Sequence, residues 1–569
     1  MIKHWALIER GILITSSICL LLTLSACKKA EKSNQKQNST KSSLFVPVSQ
    51  SSGFKFIHDP GVDGTYFMPE SLGSGAAFLD YDNDGDLDLL LLNSGSHGKG
   101  QLKTRSPNKL FRQDPGLHFT DVTQQSGLSG SGYSMGVAIG DIDNDGDVDV
   151  YITNFGPDEL YRNNGDGTFT NITVSAGINN PAWGTSVAFL DYDRDGFLDI
   201  YVANYVLFDP SIKCNDRAGR DDYCGPEVFH ASNDVLYHNN GNGTFTDVST
   251  KSGITANAGK GLGVVAADFN GDHYVDIYVA NDREANFLWI NHMDGTFKDE
   301  ALTLGAALNA LGQSEANMGI AIGDADSDMD LDLYITHLRG ETNTFFRNVG
   351  KFGFQDDTAN SHLGGAKKLT GFGTGFFDYD NDGDLDVFVA NGRVTRGPLL
   401  TKTSSYWDYY AEPNVLYENN GNGQFTDVSD SCGSLCSSAR NSRGAAFGDV
   451  DNDGDVDLLI ANEGGDAELY KNEAPKRGHW LEIRAIDPKL KRDALDAVIT
   501  IEAGGKKILR VVNPYYSYLS SNDFRVHFGM ASDKVDSIKI VWPDGISETF
   551  DGTPVDRFLT LEKGKGRKQ

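Results

Sequence analysis

The nonapeptide DYDNDGDLD occupies residues 80–88 and recurs unchanged at residues 378–386. Looser versions of this acidic phrase lie elsewhere in the chain. The seven copies begin at Asp80, Asp141, Asp191, Asp268, Asp324, Asp378 and Asp449. Such a series is typical of a tandem repeat with loops of variable length, in which each unit buries its apolar face against its neighbours.

Each acidic phrase belongs to a longer unit with strand-like patterns on both sides. A strand of small residues precedes it, as in GVAIGD, and an apolar strand follows it, as in DVDVYITN. Next comes a phrase such as ELYRNNGDGTFTNIT at 159–173, which is typical of a β-hairpin. Units of about four strands without helical stretches predict an all-β fold, a seven-bladed β-propeller over residues 51–474. FKFIH, from Phe54, is predicted to be a strand of it. A linear β-solenoid is the alternative, but its rungs would be shorter and more uniform.

The phrase D-x-D-x-D-G-x-x-D places oxygen atoms at alternate positions of a tight loop, which suits Ca²⁺. An EF-hand opens in the same way but requires a glutamate at position 12. Here position 12 is always aliphatic: Leu91, Ile152, Val202, Val279, Ile335, Val389 and Ile460. This excludes an EF-hand and indicates that each loop enters a buried strand. The alternative of merely solvated acidic turns is disfavoured, because crowded carboxylates repel one another.

We therefore predict up to seven structural calcium sites, with side-chain ligands at positions 1, 3, 5 and 9 and a backbone carbonyl at position 7. The predicted ligands are, copy by copy, Asp80, Asp82, Asp84, Asp86 and Asp88; Asp141, Asp143, Asp145, Asp147 and Asp149; Asp191, Asp193, Asp195, Phe197 and Asp199; Asp268, Asn270, Asp272, Tyr274 and Asp276; Asp324, Asp326, Asp328, Asp330 and Asp332; Asp378, Asp380, Asp382, Asp384 and Asp386; and Asp449, Asp451, Asp453, Asp455 and Asp457. Copies four and five carry His273 and Met329 where the others have glycine. Because neither residue is comfortable at positive φ, we expect these two sites to bind more weakly or to be distorted.

The first residues predict export. Lys3 and Arg10 precede an apolar run, residues 11–24, that is long enough for a signal peptide and short for a membrane span. The tetrapeptide LSAC at 24–27 begins at the end of this run and resembles a bacterial lipobox. Residues 1–26 are therefore predicted to be a lipoprotein signal and Cys27 the lipidated residue. A chance cysteine is the alternative. Residues 27–50 are polar and predict a flexible tether. The expected location is the bacterial envelope; Lys28, in place of an inner-membrane retention aspartate, favours the outer membrane or cell surface.

The remaining cysteines predict disulfides, and the net charge limits the class of partner. In an oxidising envelope, the simplest pairing is two local disulfides, Cys214–Cys224 and Cys432–Cys436. A zinc site is the weaker rival, because neither pair has the usual C-x2-C spacing. A net charge of −30 disfavours nucleic acid as a partner.

The seven units resemble FG-GAP (VCBS-type) repeats, the calcium-binding propeller blades of integrin α-chains and many secreted bacterial proteins. YCGPEVF at 223–229 is similar to a segment common in bacterial relatives of cartilage acidic protein. After a short linker, residues 475–565 predict a small all-β domain, followed by a tail at 566–569. Its stretches RDALDAVITIEAGGKK, YLSSNDFRVHFG and VDSIKIVWPDG resemble the ASPIC/UnbV domain. Asp496 stands where that family often has glycine.

We find no H-E-x-x-H, G-x-S-x-G or phosphate-binding loop and predict no catalytic residue. Two long insertions, 205–233 and 392–414, are candidates for function; the aromatic run SSYWDYYAEPN in the second could stack on sugar rings or simply cap its blade. The favoured hypothesis is a non-enzymatic binding, adhesion or scaffold module for a protein or glycan partner. The alternative is an envelope enzyme or assembly factor acting on polysaccharide or a secreted metabolite. That alternative predicts that both insertions and the C-terminal domain converge on one pocket.

Overall fold

The computed structural model describes residues 43–568, except 96, 99–100, 103–105, 217 and 401–404. The predicted signal peptide, Cys27 and most of the predicted tether lie outside the described residues. Among the residues described, no helix is long and apolar enough to cross a membrane.

Seven four-stranded antiparallel sheets coincide with the seven sequence units. We number the sheets one to seven along the chain, and we give the acidic loops the same numbers. Sheets one to four consist of Ala76–Leu79, Asp88–Leu91, Lys109–Asp114 and His118–Asp121; Ser134–Gly140, Asp149–Asn154, Gly156–Asn163 and Phe169–Asn171; Gly184–Leu190, Asp199–Asn204, Val235–Asn239 and Phe245–Asp247; and Gly261–Ala267, Asp276–Asn281, Phe287–Asn291 and Phe297–Asp299. Sheets five to seven consist of Ile320–Gly323, Asp332–Ile335, Thr344–Asn348 and Phe354–Asp356; Gly371–Phe377, Asp386–Asn391, Val415–Asn419 and Phe425–Asp427; and Ser442–Gly448, Asp457–Asn462, Glu468–Asn472 and Phe45–Pro47.

The sheets form a closed ring around a central channel. The first strand of each sheet contacts the first strand of the next, and that of sheet seven returns to that of sheet one. Glycine permits this crowding: a Cβ on Gly319 would lie 2.0 Å from the carbonyl oxygen of Phe372, and one on Gly136 would lie 2.4 Å from that of Thr185. The small residues before each acidic phrase are therefore those that let the innermost backbones meet. The all-β propeller prediction is confirmed.

The N-terminal segment closes the ring, which corrects two predictions. Phe45–Pro47 pairs with Glu468–Asn472 as the outer strand of sheet seven, so the tether does not extend to residue 50. FKFIH is not a strand; Ile57 makes one isolated bridge to Asp466, although Phe54 and Phe56 are buried. After Asn472 the chain leaves the sheet through the proline-containing linker. The open edge is consequently filled by the N-terminal strand, whose Phe45 is fully buried.

The C-terminal domain contains two sheets. One consists of Arg492–Asp493, His479–Asp487, Val526–Met530 and, parallel to the second of these, Arg557–Glu562. The other consists of Lys506–Val511, Val498–Ala503, Lys534–Val541, Ser547–Pro554 and Arg567–Lys568. One buried cluster joins Leu198 and Val275 of the propeller with Leu495 and Trp542 of this domain, so the two share a core.

A segment of the C-terminal domain, residues 512–524, fills the channel, and we call it the plug. It bonds to the first strand of every sheet. In order from sheet one to sheet seven, the contacts are Ser521 N to Ala76 O (3.1 Å), Tyr515 Oη to Ile139 O (2.6 Å), Leu519 N to Ser186 Oγ (3.3 Å), Asn513 Nδ2 to Ala266 O (2.7 Å), Ser517 N to Ile320 O (2.7 Å), Thr374 N to Ser517 Oγ (3.1 Å) and Phe447 N to Asn522 Oδ1 (2.9 Å). The sequence predicted an all-β domain after the linker, and the plug in addition joins that domain to all seven sheets.

The other elements are short. The α-helices are Thr123–Ser126, Ser249–Ser252 and Ser434–Ser437, and the 3-10 helices are Met68–Ser71, Pro226–Val228, Ile254–Ala256, Gly350–Phe352, Leu363–Lys368, Trp407–Tyr409 and Ser429–Ser431. Small hairpins pair His97–Gly98 with Gln101–Leu102, Val206–Leu207 with His230–Ala231, and Cys214–Asn215 with Asp221–Asp222. The sulfur atoms of both predicted cysteine pairs, Cys214–Cys224 and Cys432–Cys436, are bonded.

Candidate metal centres

Each acidic loop joins the first strand of its sheet to the second, so all seven lie at one end of the ring, which we call the acidic end. The position-1 aspartate shapes every loop, because its Oδ2 accepts the backbone N–H of position 6. The donors are Gly85, Gly146, Gly196, His273, Met329, Gly383 and Gly454, at 2.7–3.2 Å. Among the described residues, Oδ1 of the same aspartate has no hydrogen-bond donor in loops one and three and accepts the N–H of position 5 in the other five, at 3.0–3.2 Å. The first carboxylate therefore holds the turn and keeps at least one lone pair of Oδ1 for a ligand.

Position 9 connects the loop to the rest of its sheet. Its aspartate is almost fully buried and accepts two backbone N–H bonds, one from position 2 and one from the third strand. In loop one, Asp88 accepts from Tyr81 N (3.1 Å) and Gln113 N (2.8 Å). Burial raises the pKa of Asp88 to about 8. An ionised carboxylate has about four lone-pair sites, so both oxygens can still coordinate a cation.

Positions 1, 3 and 9 bring their oxygen atoms together. In loops one, two, three and five, the structure places them within 4.8 Å of one another: Asp80, Asp82 and Asp88; Asp141, Asp143 and Asp149; Asp191, Asp193 and Asp199; and Asp324, Asp326 and Asp332. The side chain of position 5 is oriented differently, because its Oδ1 accepts the backbone N–H of position 7. In loop one, Asp86 N donates to Asp84 Oδ1 at 3.0 Å. In loop three, Asp195 also groups with Asp193 and His238.

Several of these oxygens are buried without a hydrogen-bond donor. They belong to positions 1 and 3: Oδ1 of Asp80, Asp82, Asp143, Asp191, Asp326, Asp380 and Asp451. A buried polar atom without a partner is costly, and convergent carboxylate oxygens are the ligands that Ca²⁺ prefers. The donor set therefore fits calcium. Burial also raises the pKa of Asp378 and of Asp449 to about 7, and a bound divalent cation would favour the ionised forms.

Loops four and five keep the turn despite their substitutions. His273 has φ 70° and Met329 has φ 78°, and both still donate their N–H to position 1. Holding a non-glycine residue in this region costs roughly 1–2 kcal/mol. The backbone distortion that we predicted is thus absent at this position, while weaker binding at these loops stays a prediction.

Position 4 is left-handed in all seven loops, a feature that the sequence analysis missed. Asn83, Asn144, Arg194, Gly271, Ser327, Asn381 and Asn452 have φ between 58° and 78°. The signal was present, because asparagine tolerates this conformation and recurs at this position. Its side chain also links neighbouring loops: Asn83 Nδ2 donates to Asp147 Oδ1 at 2.6 Å, and Asn381 Nδ2 donates to Asp455 Oδ1 at 2.7 Å.

A second set of amides ties each sheet to its neighbour. The amide at the end of the third strand donates to the position-2 carbonyl of the preceding sheet, closing a ring of seven bonds at 2.8–3.2 Å. The pairs are Gln113–Val450, Asn163–Tyr81, Asn239–Ile142, Asn291–Tyr192, Asn348–Phe269, Asn419–Ala325 and Asn472–Tyr379. We interpreted the NNG phrase only as a turn; its first asparagine is also this link.

The C-terminal domain covers part of the acidic end. Arg492 Nε donates to Asn144 Oδ1 at 2.9 Å, Arg525 Nη2 donates to the carbonyl of Asp449 at 2.7 Å, and His527 Nε2 lies 3.1 Å from that of Gly454. Arg492, Arg525 and His527 thus hold the C-terminal domain against the acidic loops. At the turn noted in the sequence, Asp496 has φ 64°, so it adopts the conformation that glycine would favour.

The two insertions follow the second strands of sheets three and six, so they lie at the opposite end of the ring, which we call the insertion end. Tyr406 Oη and Tyr223 Oη are 3.0 Å apart, and Tyr410 Oη donates to Asp222 Oδ1 at 3.1 Å. Tyr223 also donates to the buried Glu70 at 2.9 Å, and burial raises the pKa of Glu70 to about 8. The insertions thus meet each other and the segment before sheet one.

The fold and its loops define a β-propeller protein with repeated acidic loops and an all-β C-terminal domain. The FG-GAP-like repeat family matches residues 80–152, 141–202, 217–279, 268–335 and 401–483, more than half of the chain. The ASPIC and UnbV family matches residues 487–568. The chain belongs to the FG-GAP-like repeat family and carries an ASPIC/UnbV domain, as the sequence resemblance indicated.

Cartilage acidic protein 1 of Xenopus tropicalis is 25% identical over 502 residues, which are 84% of this chain and 71% of that protein. Its Homo sapiens counterpart is 25% identical over 56% of this chain and 45% of its own length. A solved structure of YCF48 bound to D1 peptide has a TM-score of 0.40 and 9% identity, covering 73% of this chain and 97% of that one. The chain therefore spans less than half of the human relative that it matches.

Proposed function

We propose that this protein is a calcium-binding, non-enzymatic module of the bacterial envelope that presents its insertion end to a protein or glycan partner. Its repeats, its ASPIC/UnbV domain and its similarity to cartilage acidic protein 1 suggest a binding or scaffold module. The position of the plug is the observation that supports a partner surface at the insertion end. It fills the channel and brings its domain onto the acidic end, so the insertion end supplies the irregular surface that a partner requires.

Calcium has a structural role in this proposal. The unpartnered oxygens of positions 1 and 3 converge on a turn that the backbone already holds, and a divalent cation would neutralise them. Each occupied loop would fix the first strand relative to the second and, through the amide ring, relative to the neighbouring sheet. Calcium would thus stiffen the ring that carries the insertions.

The anchoring part of the proposal comes from the sequence alone. The lipobox-like LSAC and the polar residues after Cys27 support a lipid-anchored protein at the outer membrane or cell surface. Metabolic labelling with a fatty-acid probe tests this part. We expect label on the wild-type chain and none on the Cys27→Ala variant.

The enzyme alternative requires both insertions and the C-terminal domain at one pocket. The insertions meet, and in the described part of the chain the domain contacts that end through the plug, where Tyr518 Oη donates to Leu72 O at 2.9 Å. A cavity of about 340 Å³ beside the first insertion is lined by Tyr66, Phe208, Lys213 and other residues of the propeller. This arrangement favours binding.

Affinity capture from envelope extracts tests the proposal, in millimolar calcium and again in chelator. We expect a partner to be retained in calcium and lost when Tyr406 and Trp407 are both replaced by alanine. The matched control is Leu302→Ala, on an exposed side chain of sheet four's outer region. If the double variant retains the same partner, the binding surface lies elsewhere. If none of the folded proteins retains a partner in calcium, the proposed binding function is contradicted.

A further inference from the structure

Loops one and six have the same nine residues but different surroundings. Both close the turn with the same bond: Gly85 N lies 3.2 Å from Asp80 Oδ2, and Gly383 N lies 2.8 Å from Asp378 Oδ2. Loop six adds one bond, from Asp382 N to Asp378 Oδ1 at 3.1 Å, where the corresponding Asp80 Oδ1 has no donor among the described residues. Both hold their position-4 asparagine at φ 61°. A difference in calcium binding between the two loops would therefore come from neighbouring residues.

Beside loop one, a basic side chain is turned away. Arg112 lies on the third strand, next to Gln113, and its Nε and Nη2 atoms donate to Asp114 Oδ1 at 3.1 and 2.7 Å. Among the described residues, no ion pair joins a basic side chain to Asp82 or Asp84. No basic side chain in the described part of the chain therefore competes with an added cation for the Asp82 and Asp84 carboxylates.

A basic side chain from the linker contacts loop six. The third-strand position that holds Arg112 beside loop one is Glu418 here, which adds a carboxylate to the loop. Arg477 meets this charge: its Nε lies 3.0 Å from Asp380 Oδ2, and its Nη1 lies 3.3 Å from Asp382 Oδ2 and 2.9 Å from Glu418 Oε1. Its backbone N–H also donates to Asp380 O at 2.7 Å.

We propose that Arg477 is a built-in cation that competes with calcium for loop six, so that two identical acidic loops bind the ion with different affinity. This inference rests on the calcium binding proposed above. A guanidinium presents a planar fork of donors that suits several carboxylates at once. It contacts the side chains of positions 3 and 5, and calcium must displace it to use the same oxygens.

Loops five and seven carry the same device. Arg347 occupies the third-strand position beside loop five, and its Nε lies 3.1 Å from Asp326 Oδ2. Lys471 occupies it beside loop seven, where Nζ pairs with Asp451 and lies 2.9 Å from Asp453 Oδ2. Loop seven has glycine at position 6, so its sequence alone would predict a calcium affinity among the highest of the seven loops.

These ion pairs are partly exposed, and their strength is limited accordingly. The side chain of Arg477 is 46% exposed, so water and salt screen its contacts. Arg477 therefore competes with calcium rather than closing the loop. We expect its removal to raise the calcium affinity of loop six by about tenfold, which corresponds to about 1.4 kcal/mol.

Native mass spectrometry of the full-length chain across a calcium titration tests the proposal. We expect Arg477→Gln to bind one more calcium ion than the wild type at a concentration that leaves wild-type loop six empty. Adding Asp380→Asn should remove the gained ion, which assigns it to loop six. The matched control is Arg112→Gln beside loop one, where we expect no gain. Circular dichroism confirms that each variant is folded.

Two results would overturn the proposal, and they are distinguishable. If the wild type loses one ion on Asp82→Asn and another on Asp380→Asn, while Arg477→Gln gains none, loop six is an ordinary calcium site and Arg477 does not compete. If neither the wild type nor Arg477→Gln binds calcium, the calcium function itself fails. Lys471→Met offers an independent measurement at loop seven, with the same expected gain of one ion.

Discussion

The two ends of the ring are built by opposite means. At the acidic end, seven loops repeat one set of hydrogen bonds, and even His273 and Met329 conform to it. At the insertion end, the contacts among Tyr223, Tyr406 and Glu70 have no counterpart in the other repeat units, as far as the structure describes the chain. The repeat therefore specifies the ring and its loops, whereas contacts that do not follow the repeat lie where it is interrupted by the insertions.

Removal of calcium by a chelator should have the largest effect on the difference between the two ends, because we expect calcium at the acidic end. Each occupied site stabilises the fold by about 2.7 kcal/mol when calcium is at 100 times its Kd. We expect a chelator to lower the melting temperature and to speed hydrogen exchange at the acidic loops, with less change in the disulfide-bonded hairpin of Cys214 and Cys224. Magnesium is the control ion. Identical melting in calcium and in chelator would refute the structural role.

The plug joins the two ends, so loosening it should affect both. Asn522 is buried, accepts the N–H of Phe447 at 2.9 Å and donates to Pro514 O and Tyr516 O at 2.8 and 3.1 Å. Asn522→Ala should cost about 2–3 kcal/mol in urea unfolding, because it leaves buried groups unpaired. The control is Ser520→Ala, whose hydroxyl donates only within the plug, to Tyr518 O. Equal losses for the two variants would show that the plug does not hold the ring.

A pH dependence should distinguish the insertion end. Burial raises the pKa of Glu70 from 4.5 to about 8; the charges of Asp63 and Glu463 add to the increase, while the Tyr223 hydroxyl bond opposes it. Its contribution to stability is full below pH 4.5 and is lost as the pH rises towards 8, with a slope of up to about 1.4 kcal/mol per pH unit. Glu70→Gln should flatten the slope relative to wild type in saturating calcium. Parallel curves would contradict a protonated Glu70.

The sequence predicted the acidic end better than the insertion end, for a physical reason. Turn and acidic residues recur in every unit, so seven copies supported one another and predicted the sheets. The disulfide pairs were predicted separately, from the short distance along the chain between their cysteines. The N-terminal strand and the plug could not be predicted, because each pairs with residues far along the chain. Phe45 meets Asn472, and Ser521 meets Ala76. The arginine in loop six was equally hidden, because Arg477 lies in a linker outside the repeat.

The smallest expected effect concerns the contact between the two insertions. Tyr406→Phe removes the hydroxyl that lies 3.0 Å from Tyr223 Oη and should cost about 1 kcal/mol. Because this contact lies away from the acidic loops, we expect the same loss in calcium and in chelator, measured by urea unfolding. Tyr409→Phe is the control, since its ring is more exposed. A loss that appears only in calcium would mean that the two ends are coupled, and the ring would then transmit calcium binding to the surface that we propose meets a partner.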